Sequence, residues 1–150
     1  MNNLFVFDSC SLIALLSNED GADVVKDLLQ KAINGEIKII LHKVNLLEIY
    51  YYIYKRYNEE AALKLLKDIK IAPIKIETEI TDDIIIKAGR LKSLYKMSLA
   101  DSIGLAETII NNGCFVTADH HELEIIEEKE KINIIWIRER KINKKQTNSI

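Results

Sequence analysis

Apolar residues follow two rhythms along this chain. Short apolar runs stand at "LFVF" (4–7), "IKIIL" (37–41), "IAPIKI" (71–76), "CFVT" (114–117) and "INIIWI" (132–137). Such runs read as strands of a sheet covered on both faces. The segments between them carry helical spacing instead. "DGADVVKDLLQKAI" (20–33) sets Val24, Leu28 and Leu29 on one side, with Ile33 a turn further on and charges opposite. "KVNLLEIYYYIYKRY" (43–57) and "EEAALKLLKDI" (59–69) predict two helices jointed at "NEE" (58–60). "TDDIIIKAGRLKSLY" (81–95) and "SLADSIGLAETIINNG" (98–113) predict another pair, the second closed by Gly113. Further helices are expected to begin at "SCSLIALL" (9–16) and "HHELEIIEE" (120–128). Strands alternating with helices in this way predict an α/β fold with a mostly parallel sheet.

The 150 residues are 48% hydrophobic and 29% charged, which is enough apolar side chain for one core. The chain shows no internal repeat and no Pro- or Gly-rich linker, so one domain is expected over 1–137. The last stretch, "RERKINKKQTNSI" (138–150), loses periodicity and carries Arg138, Arg140, Lys141, Lys144 and Lys145. It is expected to be a basic, solvated, flexible tail, or else an arm for a polyanion. A net charge of −2 argues against a general polyanion binder while leaving room for a local basic patch. The N-terminus has no basic leader, and Asp8 interrupts its apolar stretch. With no run near membrane-spanning length, a cytoplasmic protein is expected. Cys10 and Cys114 lack metal-ligand spacing and are expected to stay reduced.

Four acids stand where the pattern does not require them. Asp8 and Asp119 each end a predicted strand, the edge at which parallel sheets bind ligands. Each also has a plain role as a helix N-cap, and Glu122 would complete a capping box with Asp119. Asp101 would be the third residue of a helix capped by Ser98, yet its neighbours Met97, Gly104 and Leu105 are apolar or small. Gly104 in a helix interior costs about 1 kcal/mol relative to Ala, which implies a close neighbour. Glu48 falls on or beside an apolar helix face, and Lys55 is too far along the helix to pair with it. If the four meet, two carboxylates about 5 Å apart repel by roughly 3 kcal/mol at an effective dielectric near 20. Protons or a cation must then compensate, and oxygen ligands without His or Cys spacing favour Mg²⁺ or Mn²⁺. Such ions commonly serve phosphate-bearing substrates.

Four segments, in order and spacing, resemble the acidic motifs of PIN-domain ribonucleases: "FVFDSCSLIALL", "KVNLLEIYYYIYKR", "GRLKSLYKMSLADSIGLAETI" and "FVTADHHELE". The likeness runs from Leu4 to about Ile137 and is nearest to the VapC toxins of VapBC toxin–antitoxin pairs. It implies a three-layer α/β/α domain with a mostly parallel central sheet of about five strands. It also implies a metal-dependent endoribonuclease in which Asp8, Glu48, Asp101 and Asp119 hold one or two Mg²⁺ or Mn²⁺ ions. Asp8, Asp101 and Asp119 would lie nearer the metal, with Glu48 a ligand or the positioner of the attacking water. Ser9 and Thr117 would support the site, although each could equally satisfy a turn or a helix start. Water would attack phosphorus in line, leaving 5′-phosphate and 3′-hydroxyl ends on the RNA.

The resemblance further implies a homodimer and a cognate antitoxin protein as partners. Tyrosines 50, 51, 52, 54 and 57 occupy several sides of one helix, which suits an interface better than a core. His120 and His121 read as solvent-facing residues at a helix start, one of which could touch phosphate. The alternative function is a catalytically silent module of the same fold that binds RNA or protein. A phosphoacceptor domain also gathers acids at strand ends, but it wants two adjacent acids where "FVFDSC" has one.

Overall fold

A computed structural model describes residues 3–140 of the chain, so the tail expected over 138–150 lies outside the described residues from position 141 onward. Its elements run β1 (Leu4–Phe7), α1 (Ser9–Leu16), α2 (Ala22–Ile33), β2 (Lys38–His42), α3 (Lys43–Arg56) and α4 (Glu59–Ile71). They continue as β3 (Lys75–Glu77), α5 (Asp82–Leu94), α6 (Leu99–Ile110), β4 (Cys114–Thr117), α7 (His120–Glu130) and β5 (Asn133–Trp136). The five strands form one sheet in the order β3-β2-β1-β4-β5, with every pairing parallel.

Strand alternation divides the core into two layers. Phe7, Leu41 and Val116 face one side, where Leu12, Val25, Ile49, Ile53 and Leu65 cover them from α1 to α4. Val6, Ile40 and Phe115 face the other, packed beneath Leu91 of α5, Leu105 of α6, and Leu123 and Ile126 of α7. The result is the three-layer α/β/α domain expected from the sequence.

Two local details depart from the reading of the sequence. The run at 71–76 is not all strand: α4 continues through Ile71, and β3 begins only at Lys75. Pro73 forces Ala72 into an extended conformation (φ −71°, ψ 155°), which ends the helix there. At the end of α6 the left-handed residue is Asn112 (φ 49°), not Gly113. The Asn112 N–H donates to Ile109 and the Gly113 N–H to Thr108, a Schellman closure with Asn in the left-handed place. Gly113 is needed for space instead, since a Cβ there would stand 3.1 Å from the Leu4 carbonyl oxygen.

The sheet order sets where a site can form. From β1 the chain winds outward through β2 to β3, then crosses back to add β4 and β5 on the other side of β1. The reversal falls between β1 and β4, whose C-terminal ends carry Asp8 and Thr117–Asp119.

Candidate metal centre

Asp8 is the N-cap of α1 and is completely buried. Its Oδ1 accepts the Ser11 N–H at 2.8 Å, and the Ser11 hydroxyl lies within hydrogen-bonding distance of both that oxygen and the Val116 carbonyl. The Thr117 hydroxyl donates to Oδ2. Burial nevertheless raises the Asp8 carboxyl to about 6, against the pull of the Thr117 and Ser11 hydrogen bonds. The Thr117 hydroxyl oxygen also accepts the Asp119 N–H, at 3.0 Å. One buried threonine therefore ties together the acids at the two strand ends.

Asp119 caps α7 by accepting the His121 N–H. The reciprocal half of a capping box is not formed, because the Asp119 N–H is held by Thr117. Glu122 is thereby freed from the helix end. Its carboxylate, with those of Asp101 and Asp119, forms a group in which one oxygen from each lies within 4.8 Å of the other two. Among the described residues this is the one group of metal-ligating side chains so close together.

Asp101 reaches that group from α6, where Ser98 is the cap and accepts the Asp101 N–H. Burial raises its carboxyl to about 7, and the charges of Asp8, Glu48 and Asp119 add to the effect. Helix α6 can lie this close to the sheet because position 104 is glycine: a Cβ would meet Phe115 Cε2 at 2.9 Å. Glu48 comes in from α3, half-buried, with its Oε1 accepting the Ser9 hydroxyl at 2.7 Å. The same hydroxyl lies 3.3 Å from the Asn45 side-chain oxygen. The Cys10 thiol is pushed up by burial and then by Asp8, Asp101, Asp119 and Glu48, so all four acids act on one locality.

These side chains border a cleft of about 320 Å³, with Ser9, Glu48, Asp101, Asp119 and Glu122 on its walls and Tyr51 and Tyr52 at one side. Asp8 lies beneath it, out of reach of solvent. Of the acids singled out in the sequence, Asp101 and Asp119 meet directly, Asp8 underlies them, and Glu48 stands at the side on Ser9. Sequence reasoning assigned Glu122 to a capping box and passed over Ser11 and Asn45. Glu122 gave no separate signal, since a third-position glutamate fits a box equally well. His120 is engaged rather than free: it stacks on Trp136 at 4.1 Å and contacts Glu124 and the Arg138 carbonyl. His121 is exposed.

The donor set fits a hard divalent cation. It consists of carboxylate oxygens from α6 and from the start of α7, with no His or Cys among them. Burial holds Asp101 and the underlying Asp8 against ionisation, a cost that a cation would offset.

The family model of the PIN domain matches residues 5–129. The chain belongs to the PIN domain family. No curated protein sequence matches it significantly. Solved structures of toxin–antitoxin proteins resemble it in fold. A toxin–antitoxin complex from Klebsiella pneumoniae matches at 19% identity over 90% of this chain and 98% of that one, with a TM-score of 0.62. VapBC2 of Rickettsia felis, bound to a DNA fragment from its promoter, matches at 16% identity over 88% and 97%, with a TM-score of 0.67. VapC20 of Mycobacterium tuberculosis, a toxin that cleaves the sarcin–ricin loop, matches at 14% identity over 78% and 91%, with a TM-score of 0.61. The PIN fold of this chain thus presents its acidic group at the C-terminal edge of the sheet, and no helix among the described residues is long and apolar enough to cross a membrane.

Proposed function

We propose that this PIN domain is a divalent-metal-dependent endoribonuclease and the toxin half of a toxin–antitoxin pair. The observation that carries the reading is the meeting of Asp101, Asp119 and Glu122 within 4.8 Å, above a buried Asp8. Close carboxylates cost stability unless a cation joins them, so the arrangement has a purpose beyond capping helices. Membership of the family and the toxins among its structural relatives support the same reading.

Asp101, Asp119 and Glu122 would hold Mg²⁺ or Mn²⁺. Asp8, when ionised, would contribute negative charge from the buried side, with each of its oxygens already accepting from Ser11 or Thr117. The bound ion supplies neutralisation of the scissile phosphate and acidification of water. Ser9 fixes one oxygen of Glu48 and leaves the other to accept from a water and orient it. Thr117 keeps Asp8 and Asp119 in place. Cellular RNA as substrate and two unpaired cysteines fit a cytoplasmic protein.

Two parts of the surface support the proposed partners. A groove of about 300 Å³ between α1, α3 and α4, lined by Leu16, Ile53, Tyr57, Ala61 and Leu65 with Lys64 and Asp68 also on its walls, suits an amphipathic helix of an antitoxin. Exposed Leu47 and Tyr51 on α3, and separately Ile85 and Ile86 on α5, are apolar surface that a homodimer contact would cover.

The test is 5′-end mapping of total RNA incubated with Mn²⁺ and the purified, antitoxin-free protein, beside Asp101→Asn. Discrete 5′-phosphate ends from the wild type alone are expected. Identical RNA in both lanes, from folded protein, would make the chain a silent binding module.

A further inference from the structure

The acidic cleft contains no lysine or arginine among its lining residues, so it offers a phosphodiester strand no fixed positive charge of its own. A second cleft of about 250 Å³ adjoins it, and the two share Asp119 and His121 as a common wall. Across that wall stand Arg138 and Arg140, with Glu139 between them. This segment is held firmly. The Ile137 N–H donates to the Thr117 carbonyl, and His120 contacts the Arg138 carbonyl at 2.7 Å while stacked on Trp136.

Both guanidiniums are positioned without being used up. Arg138 donates through Nη1 to Glu19 and to the Asp20 carbonyl, at 3.3 and 3.4 Å. Arg140 donates through Nη1 to Glu124 at 3.2 Å. Each guanidinium has five N–H donors, and those on Nε and Nη2 take no part in these contacts. A planar fork anchored at one nitrogen and open at the others is suited to phosphate oxygens.

We propose that this arginine cleft is a subsite for the phosphate backbone of the RNA strand whose reacting phosphate lies over the acids. The inference rests on the nuclease reading of the neighbouring cleft. It adds a direction to it: the strand leaves the acids past His121 and runs along Arg138 and Arg140. RNA suits the place better than an acidic protein segment, because a strand already seated over the acids continues directly into it.

The test is fluorescence anisotropy of a short labelled single-stranded RNA of mixed sequence, in EDTA, across a series of salt concentrations. Arg138→Gln and Arg140→Gln are each expected to weaken binding by about three- to tenfold. The slope of log affinity against log salt should shrink by about 0.7 for each arginine removed. Arg140→Lys should keep the slope while losing part of the affinity. Unchanged affinity and slope in the double Gln variant, melting like the wild type, would overturn the proposal. If Arg138→Gln fails to fold, exposed Arg140 carries the test alone. Cleavage of total RNA, measured in parallel, separates the two readings. Cutting with arginine-independent binding keeps the nuclease and rejects the subsite, whereas arginine-dependent binding without cutting does the reverse. Binding of polyglutamate but not RNA would likewise reject it, giving the cleft to an acidic protein partner.

Discussion

The hydroxyl of Thr117 donates to the carboxylate of Asp8, 109 positions away in sequence, at the point where the sheet reverses its winding. Both residues are completely buried. Among the hydrogen bonds that favour ionised Asp8, this one acts most strongly, and its loss would leave a buried carboxylate short of a partner. A hydrogen bond to a charged group is worth about 1.5 to 3 kcal/mol. Thr117→Val keeps the shape and should cost about that much in a denaturant melt of the metal-free protein. Thr117→Ser keeps the hydroxyl and should cost less than half as much. Equal losses in the two variants would show that packing, not the hydroxyl, is what matters at this position.

The same burial gives the metal-free protein an unusual dependence on pH. Asp8 and Asp101 titrate at about 6 and about 7 in the folded chain, above their ordinary 3.8. Between about pH 4 and about pH 7 the folded state therefore binds more protons than the unfolded state, and stability falls as pH rises through that window. For Asp8 alone the loss is on the order of 3 kcal/mol. Thermal melts in EDTA should show a falling Tm that levels off above about pH 7, and Asp8→Asn and Asp101→Asn should each flatten the fall. Added Mn²⁺ should flatten it too, since a cation favours the ionised acids. A wild-type profile parallel to those of both variants would remove these acids as its cause.

Gly104 offers a test of how α6 approaches the sheet. Alanine in a helix interior gains about 1 kcal/mol over glycine, but here its Cβ would meet the fully buried ring of Phe115 at 2.9 Å. A buried aromatic ring cannot swing aside, and overpacking costs about 1 to 3 kcal/mol. Gly104→Ala should lower the denaturation midpoint. Gly89→Ala, on α5 with nothing within 4 Å of the new Cβ, should raise it. A stabilised Gly104→Ala would mean that the helix shifts freely, and that Asp101 is held less firmly than its surroundings imply.

Much of this was legible in the sequence, and what was missed has identifiable causes. Unbroken apolar runs marked the buried parallel strands, and their C-terminal acids marked the sheet edge. The start of β3 was hidden because Ile71 looks like part of the following run, yet it is 87% exposed at the end of α4. Apolar identity alone does not show which way a side chain faces. The cluster of Asp101, Asp119 and Glu122 was only half visible. Glu122 satisfies the spacing of a capping box, and only the capture of the Asp119 N–H by Thr117 shows that the box is open. Thr117 was expected to support the site, but its bond to Asp8 was not legible, because the two become neighbours only when β4 is laid beside β1.

Glu122 supplies the sharpest test of the site. Its carboxylate oxygen lies within 4.8 Å of those of Asp101 and Asp119, where each pair of charges repels by about 3 kcal/mol at an effective dielectric near 20. Glu122→Gln removes that repulsion and one anionic ligand together. The variant should melt higher than the wild type in EDTA at a pH above 7, where Asp101 is ionised. It should also gain less from Mn²⁺, with an affinity about tenfold weaker or more by calorimetry. Glu124→Gln, two residues on and engaged with His120 and Arg140, should leave metal affinity unchanged. The two effects of Glu122→Gln oppose each other, which separates a ligand from a merely structural acid. A structural glutamate would lower the melt in EDTA and leave the Mn²⁺ increment alone, and that outcome would return Glu122 to the helix cap.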